Sequence, residues 1–228
     1  MTSIAANLQA VRERIASACR AAGRQEGSVS LLAVSKTWPA ASLRDAAAAG
    51  QTAFGENYVQ EALGKITALD GLGLEWHFIG PLQSNKTRSV AENFDWVHSV
   101  DRLKIAERLA AQRPPQRPPL NLCLQVNVSG EDSKSGCAPG EAPGLAAAIG
   151  QLPGVTLKGL MAIPEPSDDV ALQRRRFAML RGLLDAINAA QGTTLDTLSM
   201  GMSDDLEAAI MEGATIVRVG TAIFGQRN

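Results

Sequence analysis

The chain has 228 residues, of which 45% are hydrophobic and 20% charged, and its formal net charge is -1. This balance gives no electrostatic basis for binding nucleic acid or an anionic membrane surface. No segment approaches the roughly 20 consecutive apolar residues that a membrane span needs, and residues 1–10 lack the layout of a secretory signal. We therefore expect one cytoplasmic domain over residues 1–228, with no nucleic acid or membrane partner.

The cysteines and histidines do not form a recognisable metal site. Cys19, Cys123 and Cys137 are odd in number and widely spaced, which favours buried reduced thiols over a disulfide. His77 and His98 are the only histidines, and no cysteine or carboxylate joins them at metal-ligand spacing. No metal is expected.

Short apolar runs alternate with segments of helical periodicity along the chain. A helix is predicted over residues 4–22 and is followed by eight strands, over 31–36, 53–57, 75–80, 95–100, 120–128, 155–163, 194–199 and 215–219. Further helices are predicted over 42–49, 58–69, 84–91, 142–149, 170–190 and 204–212, and one beginning after Asp101. Such alternation without a hairpin signal is typical of parallel βα units. It predicts a single α/β domain, a (β/α)8 TIM barrel with an additional N-terminal helix in residues 1–23, and the alternative is an open doubly wound sheet.

Two helix starts have candidate capping residues. Asp101 is predicted to be the N-cap of the helix after the fourth strand, and Ser203 or Asp204 that of the helix after the seventh.

The predicted strand ends carry most of the polar side chains that could do chemistry. Active sites of such barrels lie at the carboxyl ends of the strands, where the loops converge. These ends are Ser35–Lys36, Glu56–Asn57, Gly80, His98–Ser99, Asn127–Ser129, Met161–Pro164, Ser199–Met202 and Arg218–Thr221. Lys36 stands at the end of a buried strand, so its amine either extends to solvent or is held there for chemistry.

The last two strand ends favour a phosphate site. Gly201 and Gly220 allow close backbone approach to an anion, and Ser199 and Thr221 supply hydroxyl groups. The alternative is that both are simply tight turns between strand and helix. Arg218 lies within the last apolar strand and cannot lose its charge, so it must face solvent, an anion or a ring acceptor. In a barrel such a residue is expected to point inward near the strand end, toward the same space as Lys36, and the alternative is a structural ion pair.

A lysine beside a phosphate site is consistent with two chemistries. One is a Schiff base with a carbonyl substrate, as in aldolases of phosphosugars, and the other is an aldimine with pyridoxal phosphate. The position of Lys36 favours the cofactor, because the first and eighth strands of a closed barrel are neighbours.

The segment Trp76–Lys86, which reads WHFIGPLQSNK, resembles the motif of the YggS/PROSC family of pyridoxal phosphate homeostasis proteins. The family is also resembled by residues 33–36, 54–58, 159–161, 198–203 and 218–225, so that the likeness runs through the whole chain. It implies a fold-type III pyridoxal phosphate barrel like the N-terminal domain of alanine racemase, without the C-terminal β-domain.

The resemblance also implies roles for individual residues. Lys36 forms the aldimine with pyridoxal phosphate, Arg218 faces the pyridine nitrogen, and Asn57 lies beside the cofactor. The phosphate is held by Ser199, Gly201, Gly220 and Thr221. An arginine at the pyridine nitrogen leaves the ring a weaker electron sink than a carboxylate partner would.

Alanine racemases take a catalytic tyrosine from their second domain, whereas this chain ends at Asn228 and Tyr58 is its only tyrosine. We therefore expect no catalytic residue and no strong catalysis. The resemblance implies a protein that carries or buffers pyridoxal phosphate and keeps vitamin B6 and the amino and keto acid pools in balance. Apoenzymes that use the cofactor are candidate partners, and a monomer is expected. The alternatives are a weak racemase or decarboxylase, a phosphosugar aldolase, and a regulatory interaction protein.

Two further features have ordinary structural explanations. A core histidine bonded to the backbone is the favoured interpretation of His77, over one that reaches the ligand. The run Arg174–Arg176 is expected on the solvent face of a helix rather than in a partner-binding patch.

Overall fold

Eight parallel strands pair in chain order and the last pairs with the first, so the sheet closes into a barrel. The strands are β1 Ser30–Val34, β2 Ala53–Glu56, β3 Glu75–Phe78, β4 Trp96–Val100, β5 Leu120–Gln125, β6 Val155–Met161, β7 Thr197–Ser199 and β8 Ile216–Val219. The computed structural model describes residues 3–130 and 135–226. The predicted closed barrel is confirmed, and the open sheet is wrong.

Helices cover the outside of the barrel. They are α1 Ile4–Ala21, α2 Ala40–Ala48, α3 Val59–Ala68, α4 Thr87–Asn93, α5 Leu103–Gln112, α6 Ala142–Ile149, α7 Val170–Gln191, α8 Leu206–Met211 and α9 Thr221–Phe224, with a 3-10 turn, Ser84–Lys86, before α4. The additional helix α1 is tied to the end of the chain, since the Asn7 side-chain amide donates to the carbonyl of Ile223 at 2.8 Å. In the described part of the chain, no helix has the length and apolar character needed to cross a bilayer.

The two predicted helix caps are wrong. Helix α5 begins one residue later than expected, with Arg102 at the N-cap, and Asp101 instead accepts a hydrogen bond from the Arg102 guanidinium at 2.7 Å. Helix α8 has Asp205 at its N-cap, and this carboxylate is turned back to accept from the amide of Met202. In both places the aspartate carboxylate bonds to a group that precedes the first helical residue, the Arg102 side chain in one case and the Met202 amide in the other, so it does not cap the helix amides.

Alternation along the strands separates two apolar clusters. Ala33 and Val217 belong to the large cluster between strands and helices, whereas Leu32 and Ile216 pack with Ile79 in a small separate cluster. Because successive side chains of a strand point to opposite faces, the second cluster fills the barrel interior. Arg218 follows Ile216 by two residues and therefore also points inward.

The three cysteines are free and buried, as expected. Burial raises the pKa of Cys123 to about 12 and that of Cys137 to about 11. Thiols so far from ionisation at neutral pH pack as small apolar side chains.

Candidate functional site

The guanidinium of Arg218 is a charge inside the barrel. The residue is 3% exposed, and it donates to the Ser199 hydroxyl at 2.8 Å and to the Ala162 carbonyl at 2.9 Å. Burial lowers its pKa to about 10, with the charge of Asp205 acting in the opposite direction, so it stays protonated at neutral pH. Among the described residues, no carboxylate forms an ion pair with it. A buried cation without a neutralising partner is costly unless a further group is bound beside it.

Ser199 connects Arg218 to the two histidines. Its hydroxyl lies 2.7 Å from Nδ1 of His98, and Nε2 of His98 lies 2.9 Å from Nδ1 of His77. The other ring nitrogen of His77 lies 2.5 Å from the carboxylate of Glu75. The expectation that His77 bonds to the backbone is wrong, because both of its ring nitrogens have side-chain partners.

The turns after β7 and β8 offer amide donors to an anion. In the described part of the chain, the amides of Ser203, Thr221 and Ala222 have no hydrogen-bond partner. Gly201 adopts a φ of 93°, and a Cβ there would come within 2.6 Å of the Cβ of Ala209. Only glycine fits that turn without strain. The amide of Met202 is already occupied by Asp205, whose pKa is raised by burial.

The turn after β8 packs against the end of β1. A Cβ on Gly220 would lie 3.1 Å from the carbonyl oxygen of Val34, in the strand that leads to Lys36. Pairing of β1 with β8 places Ala33 opposite Val219. The end of β1 and the amide-rich turn are thus neighbours, as a closed barrel requires.

Lys36 lies in a turn that begins directly after β1 and is partly exposed. The next residue, Thr37, has a φ of 69°, and among the described residues no other residue except glycine has a positive φ. A β-branched residue in this region is strained. The amide of Thr37 donates to a carboxylate oxygen of Glu61, at 2.5 Å.

A buried ion-pair network fixes this turn from the outer side of the barrel. Lys65 on α3 donates to the carbonyl of Ser35 at 2.7 Å and to Glu56 at 2.6 Å, and it also pairs with Glu61. The hydroxyl of Ser35 donates to the same oxygen of Glu56 at 2.6 Å. The network, defined by Ser35, Glu56, Glu61 and Lys65, therefore holds the residues on both sides of Lys36.

Two buried acceptor atoms near this network lack a partner in the described part of the chain. They are Oδ1 of Asn57 and Oε2 of Glu56. Buried polar atoms are almost always hydrogen-bonded in native proteins, so an unsatisfied amide oxygen at the carboxyl end of β2 fits a bound group that donates a hydrogen bond. Burial raises the pKa of Glu56, and its hydrogen bonds to Lys65 and Ser35 act against that effect.

The predicted site residues lie at the carboxyl ends of four strands that are consecutive around the ring, β7, β8, β1 and β2. They are Ser199, Gly201, Arg218, Gly220, Thr221, Lys36 and Asn57. The roles predicted for these residues stay predictions. The Ser199 hydroxyl is directed at Arg218 and His98, which leaves the amides as the phosphate donors that the geometry favours.

Sequence reasoning placed Glu56 and His98 at polar strand ends but missed their supporting contacts, and it missed Lys65 altogether. One signal for the network was available. Glu56 lies on the same strand face as buried Phe54, so its carboxylate faces the helices and needs a cation there. On the next helix, Glu61 and Lys65 have the (i, i+4) spacing of an ion pair. Nothing in the sequence pairs His98 with His77 or Ser199, because three different strands supply them.

The run predicted to lie on a solvent face is on α7, where Arg174 and Arg175 are exposed, but the Arg176 side chain is only 12% exposed, so the prediction is wrong for Arg176. Arg174 pairs with Glu212 at 2.7 Å and Arg176 with Glu165 at 3.1 Å. In the described ranges, 3–130 and 135–226, no group of three or more histidine, cysteine or acidic side chains is arranged to hold a metal ion.

Comparisons with known proteins agree with this geometry. Residues 6–228 match the family described as "Alanine racemase, N-terminal domain". A protein of Pseudomonas aeruginosa named "Pyridoxal phosphate homeostasis protein" is 64% identical, over 100% of this chain and 97% of that protein.

Solved structures agree as well. The structure of PipY from Synechococcus elongatus PCC7942 with pyridoxal phosphate bound has a TM-score of 0.85 and 39% identity, and the match covers 98% of this chain and 100% of that one. Alanine racemase from Corynebacterium glutamicum has a TM-score of 0.69 and 17% identity, over 96% of this chain and 62% of that one, and shares the barrel fold. The chain therefore belongs to the YggS/PROSC family of pyridoxal phosphate homeostasis proteins and has the barrel of the alanine racemase N-terminal domain.

Proposed function

We propose that this protein binds pyridoxal phosphate at the carboxyl ends of β7, β8, β1 and β2, and that it carries or buffers the cofactor. The observation that carries the proposal is the buried guanidinium of Arg218, which points into the barrel beside β1 and has no ion-pair partner among the described residues. The name of the P. aeruginosa relative and the pyridoxal phosphate bound to PipY support the choice of ligand.

Each group of the cofactor has a suitable partner in the chain. The amides of Ser203, Thr221 and Ala222 hold the phosphate together with the close-packed glycines Gly201 and Gly220. Arg218 donates to the pyridine nitrogen. Asn57 accepts a hydrogen bond from the cofactor through its unsatisfied amide oxygen.

Lys36 is the covalent attachment point in this proposal. Pyridoxal phosphate supplies an aldehyde with which an amine condenses reversibly. Leu32 and Val34 belong to the interior cluster, whereas Ser35 contacts the network on the outside, so alternation directs the Lys36 side chain inward. The network holds the turn, and the amine is thereby kept at the strand end beside the amide donors.

Arg218 also limits what the site does. A permanently charged guanidinium donates to the pyridine nitrogen and leaves it without a proton, which weakens electron withdrawal by the ring. A site of this kind favours storage and release of the cofactor over strong catalysis. Lys36 would hold the cofactor reversibly, and its release to an apoenzyme would require another amine to take the place of Lys36. We also propose that the carrier is a cytoplasmic monomer.

The absorbance spectrum of the purified protein tests the site. We expect a visible band from bound pyridoxal phosphate that is lost in Lys36→Ala and retained in Lys104→Ala, a matched variant at an exposed lysine of α5. Transfer is tested by mixing the loaded protein with an apoenzyme and following recovery of that enzyme's activity. An unchanged band in Lys36→Ala would place the attachment elsewhere.

A second candidate function is weak amino acid racemisation, which the match to the alanine racemase N-terminal domain favours. Incubation with D- and L-amino acids separates the two. Turnover faster than that of free pyridoxal phosphate supports the enzyme, and turnover equal to it supports the carrier.

A further inference from the structure

The hydrogen bonds from Arg218 to the histidines have a defined direction. A guanidinium can only donate, so the Ser199 oxygen accepts from Arg218 at 2.8 Å. The hydroxyl keeps one hydrogen, and within the described ranges its one acceptor is Nδ1 of His98, at 2.7 Å. Ser199 therefore donates to His98.

This direction fixes the hydrogens on both rings. With Nδ1 of His98 accepting, its Nε2 carries the hydrogen and donates to Nδ1 of His77 at 2.9 Å. Nε2 of His77 then donates to the carboxylate of Glu75. If instead His77 donated to His98 and His98 to Ser199, these side chains would have to carry one more proton. The Ser199 hydrogen would then have no acceptor among the described residues.

This row of hydrogen-bonded side chains, from Arg218 to Glu75, runs through the barrel interior from one end to the other. Ser199 and His98 are fully buried, whereas the Glu75 side chain is 50% exposed at the amino-terminal start of β3. Glu75 and His77 line a cavity of about 360 Å³ together with residues at the starts of β1 and β2. Trp96 stacks on His77 with ring centroids 5.4 Å apart and planes 5° from parallel, which restrains that ring.

The charges around the two rings agree with this arrangement. Burial lowers the pKa of His98 well below its ordinary value, and the charge of Arg218 acts in the same direction. The hydrogen bond from His77 lowers the pKa of Glu75, so that the acceptor at the exposed end is ionised. A neutral His98 and an ionised Glu75 are the states that the hydrogen-bond directions require of these two groups.

We propose that His98 is a positioning residue for Arg218, which it orients through Ser199, and that the chain Arg218–Ser199–His98–His77–Glu75 connects the cofactor site to the opposite end of the barrel. The proposal rests on the function proposed above, because Arg218 is the group that meets the cofactor. His98 holds the Ser199 hydroxyl in one rotamer. That rotamer presents an oxygen lone pair to one arm of the guanidinium, while the Ala162 carbonyl holds the other arm.

The first test uses the cofactor-free wild-type protein and therefore does not depend on the proposed function. Long-range proton–nitrogen NMR of the two histidines distinguishes protonated from unprotonated ring nitrogens. We expect hydrogen on Nε2 and none on Nδ1 in both rings at neutral pH. Hydrogen on Nδ1 of His98 would overturn the chain, even if the protein binds pyridoxal phosphate.

The second test separates positioning from structural support. His98→Asn keeps an oxygen near the position of Nδ1, where it can accept from Ser199, whereas His98→Gln extends its amide toward His77, and His98→Leu keeps neither bond. We expect His98→Leu and His98→Gln to weaken pyridoxal phosphate binding about tenfold and to shift the visible band, while His98→Asn stays close to wild type.

The matched control is Val97→Ala, which removes buried packing from the same strand on the helix side and leaves the chain of hydrogen bonds intact. It should lower stability without moving the band. Equal spectra and affinities for wild type, His98→Leu and Val97→Ala would overturn the proposal. If His98→Leu does not fold, the comparison of His98→Asn with His98→Gln and the NMR result decide it.

Discussion

The ammonium group of Lys65 lies 2.6 Å from a carboxylate oxygen of Glu56, with the two side chains 6% and 0% exposed. The same ammonium donates to the carbonyl of Ser35, the residue before Lys36. An ion pair withdrawn from water contributes little net stability by itself, but removing one partner leaves the other charge buried without compensation. The position of the turn that contains Lys36 thus depends on an ion pair buried between the barrel and its outer helices.

Lys65→Met should destabilise the protein by about 3 kcal/mol, because it leaves Glu56 buried without its cation. The double variant Glu56→Gln/Lys65→Met should recover stability to within about 1 kcal/mol of wild type, since a neutral amide can still accept from Ser35. Urea denaturation of the cofactor-free proteins measures both. A double variant no more stable than Lys65→Met would show that the charge on Glu56 is not the cause.

The loss in free energy of unfolding caused by Lys65→Met should depend on pH. Burial raises the folded-state pKa of Glu56 above its ordinary 4.5, so the folded protein keeps this proton where the unfolded chain has lost it. The stability from the protonated carboxyl is therefore complete below pH 4.5 and is lost as pH rises through the raised pKa. Lys65 lowers the pKa of Glu56 in part, so removal of Lys65 extends to higher pH the range in which the protonated carboxyl contributes stability.

The stability difference between wild type and Lys65→Met should consequently narrow as pH falls from 8 toward about 4.5, as determined from urea midpoints at each pH. The double variant Glu56→Gln/Lys65→Met serves as the control, because it lacks the titrating carboxyl. The difference in stability between it and Lys65→Met should be smallest at low pH. A deficit that is constant across this range would contradict the assignment.

Thr37→Gly should stabilise the cofactor-free protein by up to about 1 kcal/mol, because glycine adopts the φ of 69° without the strain that a β-branched side chain carries. Thr37→Ala keeps a Cβ and should gain less. Thr37→Pro should destabilise the protein and weaken the visible band, because proline cannot adopt this φ and loses the amide that Glu61 accepts. Thermal unfolding and absorbance spectra of the three variants give the comparison, and a stable, fully coloured Thr37→Pro would contradict it.

Gly80→Ala should destabilise the protein by about 1–3 kcal/mol and weaken cofactor binding. A Cβ at this position would lie 2.4 Å from the backbone oxygen of Asn57, so the end of β2 would have to move. Gly64→Ala on α3 is the matched control, since its Cβ meets nothing within 4 Å. That variant should be more stable by about 0.5–1 kcal/mol, as alanine is in a helix. Chemical denaturation and pyridoxal phosphate titration measure the pair, and equal effects of the two substitutions would refute the argument.

The barrel and the position of its site could be read from the chain because the underlying signals are local. Alternation of short apolar runs with helical segments is a property of neighbouring residues, and closure of parallel strands then brings the end of β1 beside the turn containing Gly220. The ends of the elements were less predictable. Asp101 bonds to the Arg102 guanidinium and Asp205 to the amide of Met202, and neither side chain caps the helix that follows, because an aspartate carboxylate has several acceptable local donors.

The sequence by itself determined the order of the elements, the inward direction of Arg218 and the grouping of polar residues at the strand ends, because strand periodicity and parallel connection suffice for these. Only the tertiary structure decided that Lys65 reaches Glu56 and Ser35, and that His98 joins His77 to Ser199. Those contacts link side chains from different elements across distances of a few ångströms. Such distances depend on barrel register and helix placement, which no local pattern encodes.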